Sequence, residues 1–190
     1  IREAAALGDT FSRYLQMSGR LREREAWLAM LKDATQQGAF TAEAANYERE
    51  DAWTRFQQGD PQGAVKQLQA LIARLRSTTE FDPSFPLATS VVALGRLLDH
   101  AGASSQAVPI LQEAIGLWEA QVEKVGGKPW ESILATGDHA KAALELGNLS
   151  ETMSGLAHAL SSAGQHEEAL EVAEKALRIG DQRLDGDRTV

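Results

Sequence analysis

Cysteine is absent from the 190 residues. That excludes a disulfide framework, a thiol nucleophile and any zinc or iron–sulfur site held by thiolates. Aromatic residues make up only 6% of the chain and prolines number five. No apolar run approaches the roughly 18–20 residues of a membrane span. No basic-plus-apolar leader opens the chain, which starts at Ile1. The expectation is a segment cut from a longer cytoplasmic protein. Strict alternation of β-branched residues is missing too, and Val91-Val92 comes nearest to a strand signal.

Signatures of chemistry are equally scarce. The four histidines, His100, His139, His158 and His166, form no HExxH and no metal-ligand spacing with a carboxylate cluster. No G-x-S-x-G elbow appears. Gly126-Gly127-Lys128 resembles a phosphate loop only in part, with Val122 where the first glycine belongs and Pro129 in place of Ser or Thr. Asp185-Gly186-Asp187 lacks the further oxygen ligands of a calcium loop. No enzyme, cofactor or metal site is therefore expected.

What the chain does have is helical spacing and acid. Hydrophobic residues are 43%, a globular composition, and the net charge is −8. Residues 1–96 carry 12 basic and 12 acidic side chains, and residues 97–190 carry 7 and 15. The whole excess lies in the second half. Such a surface repels phosphate backbones, so no nucleic-acid partner is expected, and no membrane partner either.

In 104–125, Val108, Leu111, Ile115, Trp118 and Val122 recur at steps of three and four, one face of a helix. In 165–184 the same steps select Leu170, Ala173, Leu177 and Leu184, broadened by Val172, Ala176 and Ile179. Punctuation separates such stretches. Asp60-Pro61 pairs an N-cap with a residue suited to the first helical position. Thr41 marks a second start, Ser104 or Ser105 a third. Thr78 to Pro86 reads as a connector, and Gly126-Gly127-Lys128-Pro129 as a break. Trp130 to Thr136 is placed as a short extra helix, followed by a long helix starting at Gly137-Asp138 and reaching Ala163.

Four glycines, Gly19, Gly59, Gly102 and Gly164, lie between consecutive helical patterns, and the residues around them recur. Seven before stand Ser12, Ala52, Gly95 and Ala157; five after stand Arg24, Ala64, Ala107 and Ala169. Nine after stand Leu28, Leu68, Leu111 and Ala173; twelve after stand Leu31, Leu71, Ala114 and Ala176. Small side chains at matched offsets let two antiparallel helices approach closely, and larger apolar residues fill the seam to the next pair. The glycine supplies a backbone conformation that other residues resist.

This pattern resembles the tetratricopeptide repeat family. The last unit carries it best, through Leu156-Ala157, Leu160, Gly164, Glu168-Ala169-Leu170 and Lys175-Ala176-Leu177. The third follows closely, the second has Asp51 where leucine is usual, and the first has Arg24 at a small-residue position. The glycines stand 40, 43 and 62 residues apart, against the family's usual period of about 34. The longer period is similar to variants found in bacterial signalling ATPases, maltose-regulator-type activators and kinesin light chains. The last spacing holds an insertion within 121–147.

The resemblance implies an all-α fold, a right-handed superhelical solenoid of antiparallel helix pairs. A single domain, 1–190, is expected, with units at about 1–38, 40–80, 84–126 and 138–184 and an insertion at about 127–137. It further implies that the first helix of each pair lines a concave groove. The family's groove offsets place Arg13, Arg49, Trp53, Phe56, Arg96, Asp99 and His158 there. The set lacks the Lys/Asn constellation with which chaperone-binding members hold a C-terminal carboxylate, so that ligand is not expected. Guanidinium groups pair with carboxylates and large aromatics act as anchors. The expected partner is a protein or peptide with acidic and bulky apolar residues, bound by a passive scaffold or adaptor. The alternative is a ligand-sensing regulatory domain of a signalling ATPase or transcription regulator. Exposed solenoid ends would allow self-association.

Overall fold

The computed structural model describes residues 11, 14, 15, 17–36, 41–137 and 140–187. Among the described residues eight α-helices are delimited, in this order: α1 (Leu21–Gln36), α2 (Ala42–Gln57), α3 (Pro61–Ser77), α4 (Ser84–His100), α5 (Ser104–Gly126), α6 (Trp130–Thr136), α7 (Ala143–Ser162) and α8 (His166–Asp187). A 3₁₀ turn, Ala140–Ala142, precedes α7, and no strand occurs among the described residues. The contacts divide the chain into two compact units, 1–93 and 94–190, and each is described by itself.

Each of the four anchor glycines sits in a turn just before a helix, α1, α3, α5 or α8. Their φ values are +70° at Gly19, +93° at Gly59, +78° at Gly102 and +84° at Gly164. A side chain at such φ meets the following carbonyl, which is why glycine recurs there. The hydrogen bonds recur with them. The amide after each glycine donates to the carbonyl four residues before it: Arg20 to Leu15, Asp60 to Arg55, Ala103 to Leu98 and Gln165 to Leu160, at 2.9–3.2 Å. Gly59, Gly102 and Gly164 donate to Phe56, Asp99 and Ser161. This is the Schellman arrangement, which satisfies carbonyls that the helix end would leave open.

In the first unit α1, α2 and α3 pack in sequence around Leu15, Leu28, Tyr47, Ala52, Ala64, Leu68 and Leu71, all buried. The Thr41 and Asp60 starts form as expected: the Ala44 amide donates to Thr41 Oγ1 (3.2 Å) and the Gly63 amide to Asp60 Oδ1 (2.8 Å). The two departures from the repeat pattern are both compensated by polar partners. Asp51 accepts from Gln67 Nε2 (2.6 Å), which also donates to the Glu48 carbonyl. Arg24 is 1% exposed at the position filled by alanine in the other three pairs. Its guanidinium meets Glu50 at 2.5 Å and donates to Thr54 Oγ1, tying α1 to α2. A buried cation needs such a carboxylate, so the first pair keeps the register of the others with a charged side chain in the seam.

In the second unit α5, α7 and α8 share a cluster of Ala107, Val108, Leu111, Leu156, Ala159, Leu160 and Ala169. Gly95 lies so close to α5 that an added Cβ would come 2.6 Å from Leu111. The expected face of α5 is inward, with Leu111, Trp118 and Val122 buried and Ile115 half-buried. The start of α5 differs from expectation: Ala103 is the N-cap residue and makes no side-chain cap. Ser104 is instead the first helical residue, and its hydroxyl donates to Asp99 Oδ1 at 2.7 Å.

The face of α8 is also corrected. Leu170 and Leu177 are each 63% exposed, while Ala169, Ala176 and Ile179 are buried. Both stripes have helical spacing, and the close approach of α7 selects the one with the smaller side chains. The insertion forms its short helix over the expected residues, ended by Gly127 on one side and Gly137 on the other, both at positive φ. The long helix starts at Ala143, later than expected.

Candidate functional site

The residues expected to line a groove fall into both units. Arg13 lies outside the described residues. In the first unit Arg49, Trp53 and Phe56 project from α2. Trp53 and Phe56 stack on each other, with ring centroids 5.6 Å apart and planes at 29°, and both are half-buried. Arg49 is held by two neighbours on its own helix, Asn46 Oδ1 at 2.5 Å and Glu50 at 3.3 Å. It lines a cleft of about 420 Å³ between α2 and the first turns of α4. Tyr47, Ala45 and Asn46 form the α2 wall, and Phe85, Pro86 and Thr89 the α4 wall. Phe85 is 40% exposed at this edge. Asp82, also lining the cleft, accepts from the Ser84 amide and hydroxyl.

The cleft therefore offers one cation, two carboxylates at Glu43 and Asp82, one exposed aromatic ring and an apolar wall. Its two sides are the first helices of consecutive pairs. The sequence offsets found Arg49 but missed Tyr47, Phe85 and Pro86. Phe85-Pro86 belongs to the first turn of α4 and not to the connector, and it faces the α2 residues across the cleft.

In the second unit Arg96, Asp99 and His158 make two separate side-chain ties between α4 and α7. Arg96 pairs with Glu151 at 2.8 Å. His158 Nδ1 donates to Asp99 Oδ2 at 2.7 Å, while Asp99 Oδ1 accepts from Ser104. The Asp99 side chain is 7% exposed and the His158 side chain 73%. Serine, histidine and aspartate meet here, but the serine hydroxyl points to the carboxylate and not to the imidazole. The arrangement is a strut between helices, not the relay of a nucleophile.

Among the described residues no three His, Asp or Glu side chains gather where they could hold a metal ion. No helix among them is long and apolar enough to cross a membrane.

A sequence profile of the tetratricopeptide repeat matches residues 149–180, which cover α7 from Leu149 to its end, the Gly164 turn and α8 as far as Gly180. No curated protein matches the chain in sequence. Among solved structures, the Podosopora anserina putative kinesin light chain nearly identical TPR-like repeats align with a TM-score of 0.50 at 18% identity, over 92% of this chain and 94% of that one. A single-site variant of the same repeats gives a TM-score of 0.51 at 18% identity, over 92% and 93%. At that identity the likeness is one of fold. The chain is thus an all-α protein with the fold of tetratricopeptide-like helix-pair repeats, and its residues 149–180 match the repeat itself.

Proposed function

We propose that the chain is a non-catalytic scaffold that docks a partner protein segment on the first helices of its pairs. The coarser part of this reading, a protein-binding scaffold, rests on the repeat and the fold. The finer part concerns where and what it binds. The observation that carries it is the α2–α4 cleft, where Arg49, Phe85 and Pro86 stand together between two successive first helices. With Asp82 taken up by the Ser84 amide and hydroxyl, the cation at Arg49 beside the apolar wall suits a segment with a bulky apolar side chain followed by a carboxylate, placed away from Glu43. The apolar group would lie against Phe85 and Pro86, and the carboxylate would reach Arg49 bidentately. Trp53 and Phe56 extend the same α2 row. Arg96, Asp99 and His158 are proposed to contribute in the second unit, and the four pairs to act as one domain.

The test is a peptide array of acidic–aromatic segments, probed with labelled full chain. Binding should fall for Arg49→Glu and, to a smaller degree, for Arg96→Glu, whose side chain is already paired. Circular dichroism checks that both variants fold. Array binding that survives Arg49→Glu unchanged overturns the α2–α4 site.

A further inference from the structure

The insertion between the third and fourth pairs builds a second cleft, walled by the inserted helix and by helices of both neighbouring pairs. Helix α6 packs on α5 with Trp130 and Ile133 buried, and Ala142 of the 3₁₀ turn is buried beneath. The Trp130 indole is fixed by donating to Glu119 Oε1 at 3.1 Å. Together α5, α6, α7 and α8 border an open cleft of about 540 Å³, all within the second unit. That is the size of sites that take small organic molecules. Its apolar surface comes from Ile115, Leu134, Met153, Leu156 and Val172, one or two from each helix.

The charges at its edge are not equivalent. Glu119 is occupied by the indole, and Glu168 accepts from Gln165 at 3.3 Å. Glu131 is exposed on α6. Lys175 and Arg178 lie one turn apart on α8 and both line the cleft. Glu171 precedes Lys175 by four residues, and Glu174 precedes Arg178 by four. That order favours ion pairs along a helix, yet neither pair forms, and neither cation bonds to any described residue. Two cations are turned toward an apolar cleft in the half of the chain that carries the acidic excess.

We infer that this cleft binds a soluble organic anion with an apolar body, its carboxylate or sulfonate held by Lys175 and Arg178 and its body lying over Leu134, Leu156 and Val172 beside Trp130. Two charge-assisted bonds at one headgroup give the site its selectivity for the sign of charge. This site is separate from the α2–α4 cleft proposed for the partner segment.

The experiment titrates the full chain with anilinonaphthalene sulfonate, followed by its fluorescence, and then competes the probe with decanoate or with decyltrimethylammonium. Decanoate is expected to displace the probe and the cationic amphiphile to leave it in place. Lys175→Glu with Arg178→Glu should weaken both anions roughly tenfold or more, the loss of charge-assisted bonds. Ala135→Trp, an exposed position that lines the cleft, should block it without charge reversal. Arg49→Glu should change nothing here, which keeps failure of this site distinct from failure of the peptide site. The inference is overturned if the chain takes up no probe, if the charge-reversed variant binds as the native chain does, or if the cationic amphiphile competes as well as decanoate.

Discussion

Arg24 gives the sharpest test of how this fold is held. It occupies the seam position where the other pairs carry Ala64, Ala107 and Ala169, it is 1% exposed, and its carboxylate partner Glu50 is 34% exposed. Removing one member of a fully buried pair costs about 3–5 kcal/mol, because the other charge stays in a poorly solvating site. Water reaches Glu50, and the Thr54 hydroxyl remains for the guanidinium. Glu50→Ala should therefore cost less than that range, about 2–3 kcal/mol. For a chain of this length each kcal/mol lowers the midpoint by about 2–4 °C, so a fall of roughly 4–12 °C is expected. Arg24→Met keeps most of the side-chain volume and removes the charge, and should lie within about 1 kcal/mol of the native chain. Once Arg24 is methionine, Glu50→Ala should cost little further. Urea and thermal unfolding of the two single variants and the double variant, followed by circular dichroism, close the cycle. If Glu50→Ala costs less than about 0.5 kcal/mol, as exposed pairs do, while Arg24→Met costs several, the arginine acts by packing and the argument from buried charge fails.

Two alanine substitutions should have opposite signs. Gly102→Ala places a Cβ in open space but forces φ near +78°, and should destabilise by about 1–2 kcal/mol. Gly116→Ala, inside α5 with equally open space, should stabilise by about 0.5–1 kcal/mol; thermal melts compare them directly. Asp60→Ala removes the cap bond to the Gly63 amide and should lower stability by about 1 kcal/mol in urea, with Asn at the same position restoring most of it.

The turns were legible because their chemistry is local. A glycine at positive φ, a small residue five positions later and an apolar residue nine positions later are all visible in one window of sequence. All four residues at the five-after offset prove buried, Arg24 included. The ends of α6 were legible for the same reason, with Pro129 before it and Gly137 after it. The face of α8 was not, because periodicity alone cannot separate Leu170 and Leu177 from the adjacent stripe of Ala169, Ala176 and Ile179. The polar partners were not legible either. Arg96 meets Glu151 across 55 positions and His158 meets Asp99 across 59, distances at which no spacing rule operates. The offsets therefore put the described candidates on α2, α4 and α7, while what each touches had to come from tertiary packing.

The insertion shows how an irregularity in the period can be kept without disturbing the repeat. Between α3 and α4 the connector is short, residues 78–83, whereas between α5 and α7 it runs over 127–142. Lengthening a loop costs little, about 0.6 kcal/mol for each doubling. Burying Ile133 alone returns about 1.5–3 kcal/mol, and Trp130 adds a larger apolar surface with its indole hydrogen bond satisfied. The inserted residues thus hold themselves against α5, and the cluster shared by α5, α7 and α8 stays intact. A loop that merely bridged the pairs would leave the outer side of α5 and α8 bare. A helix that packs on only one of them leaves a walled space beside the other, and that space is where Lys175 and Arg178 face.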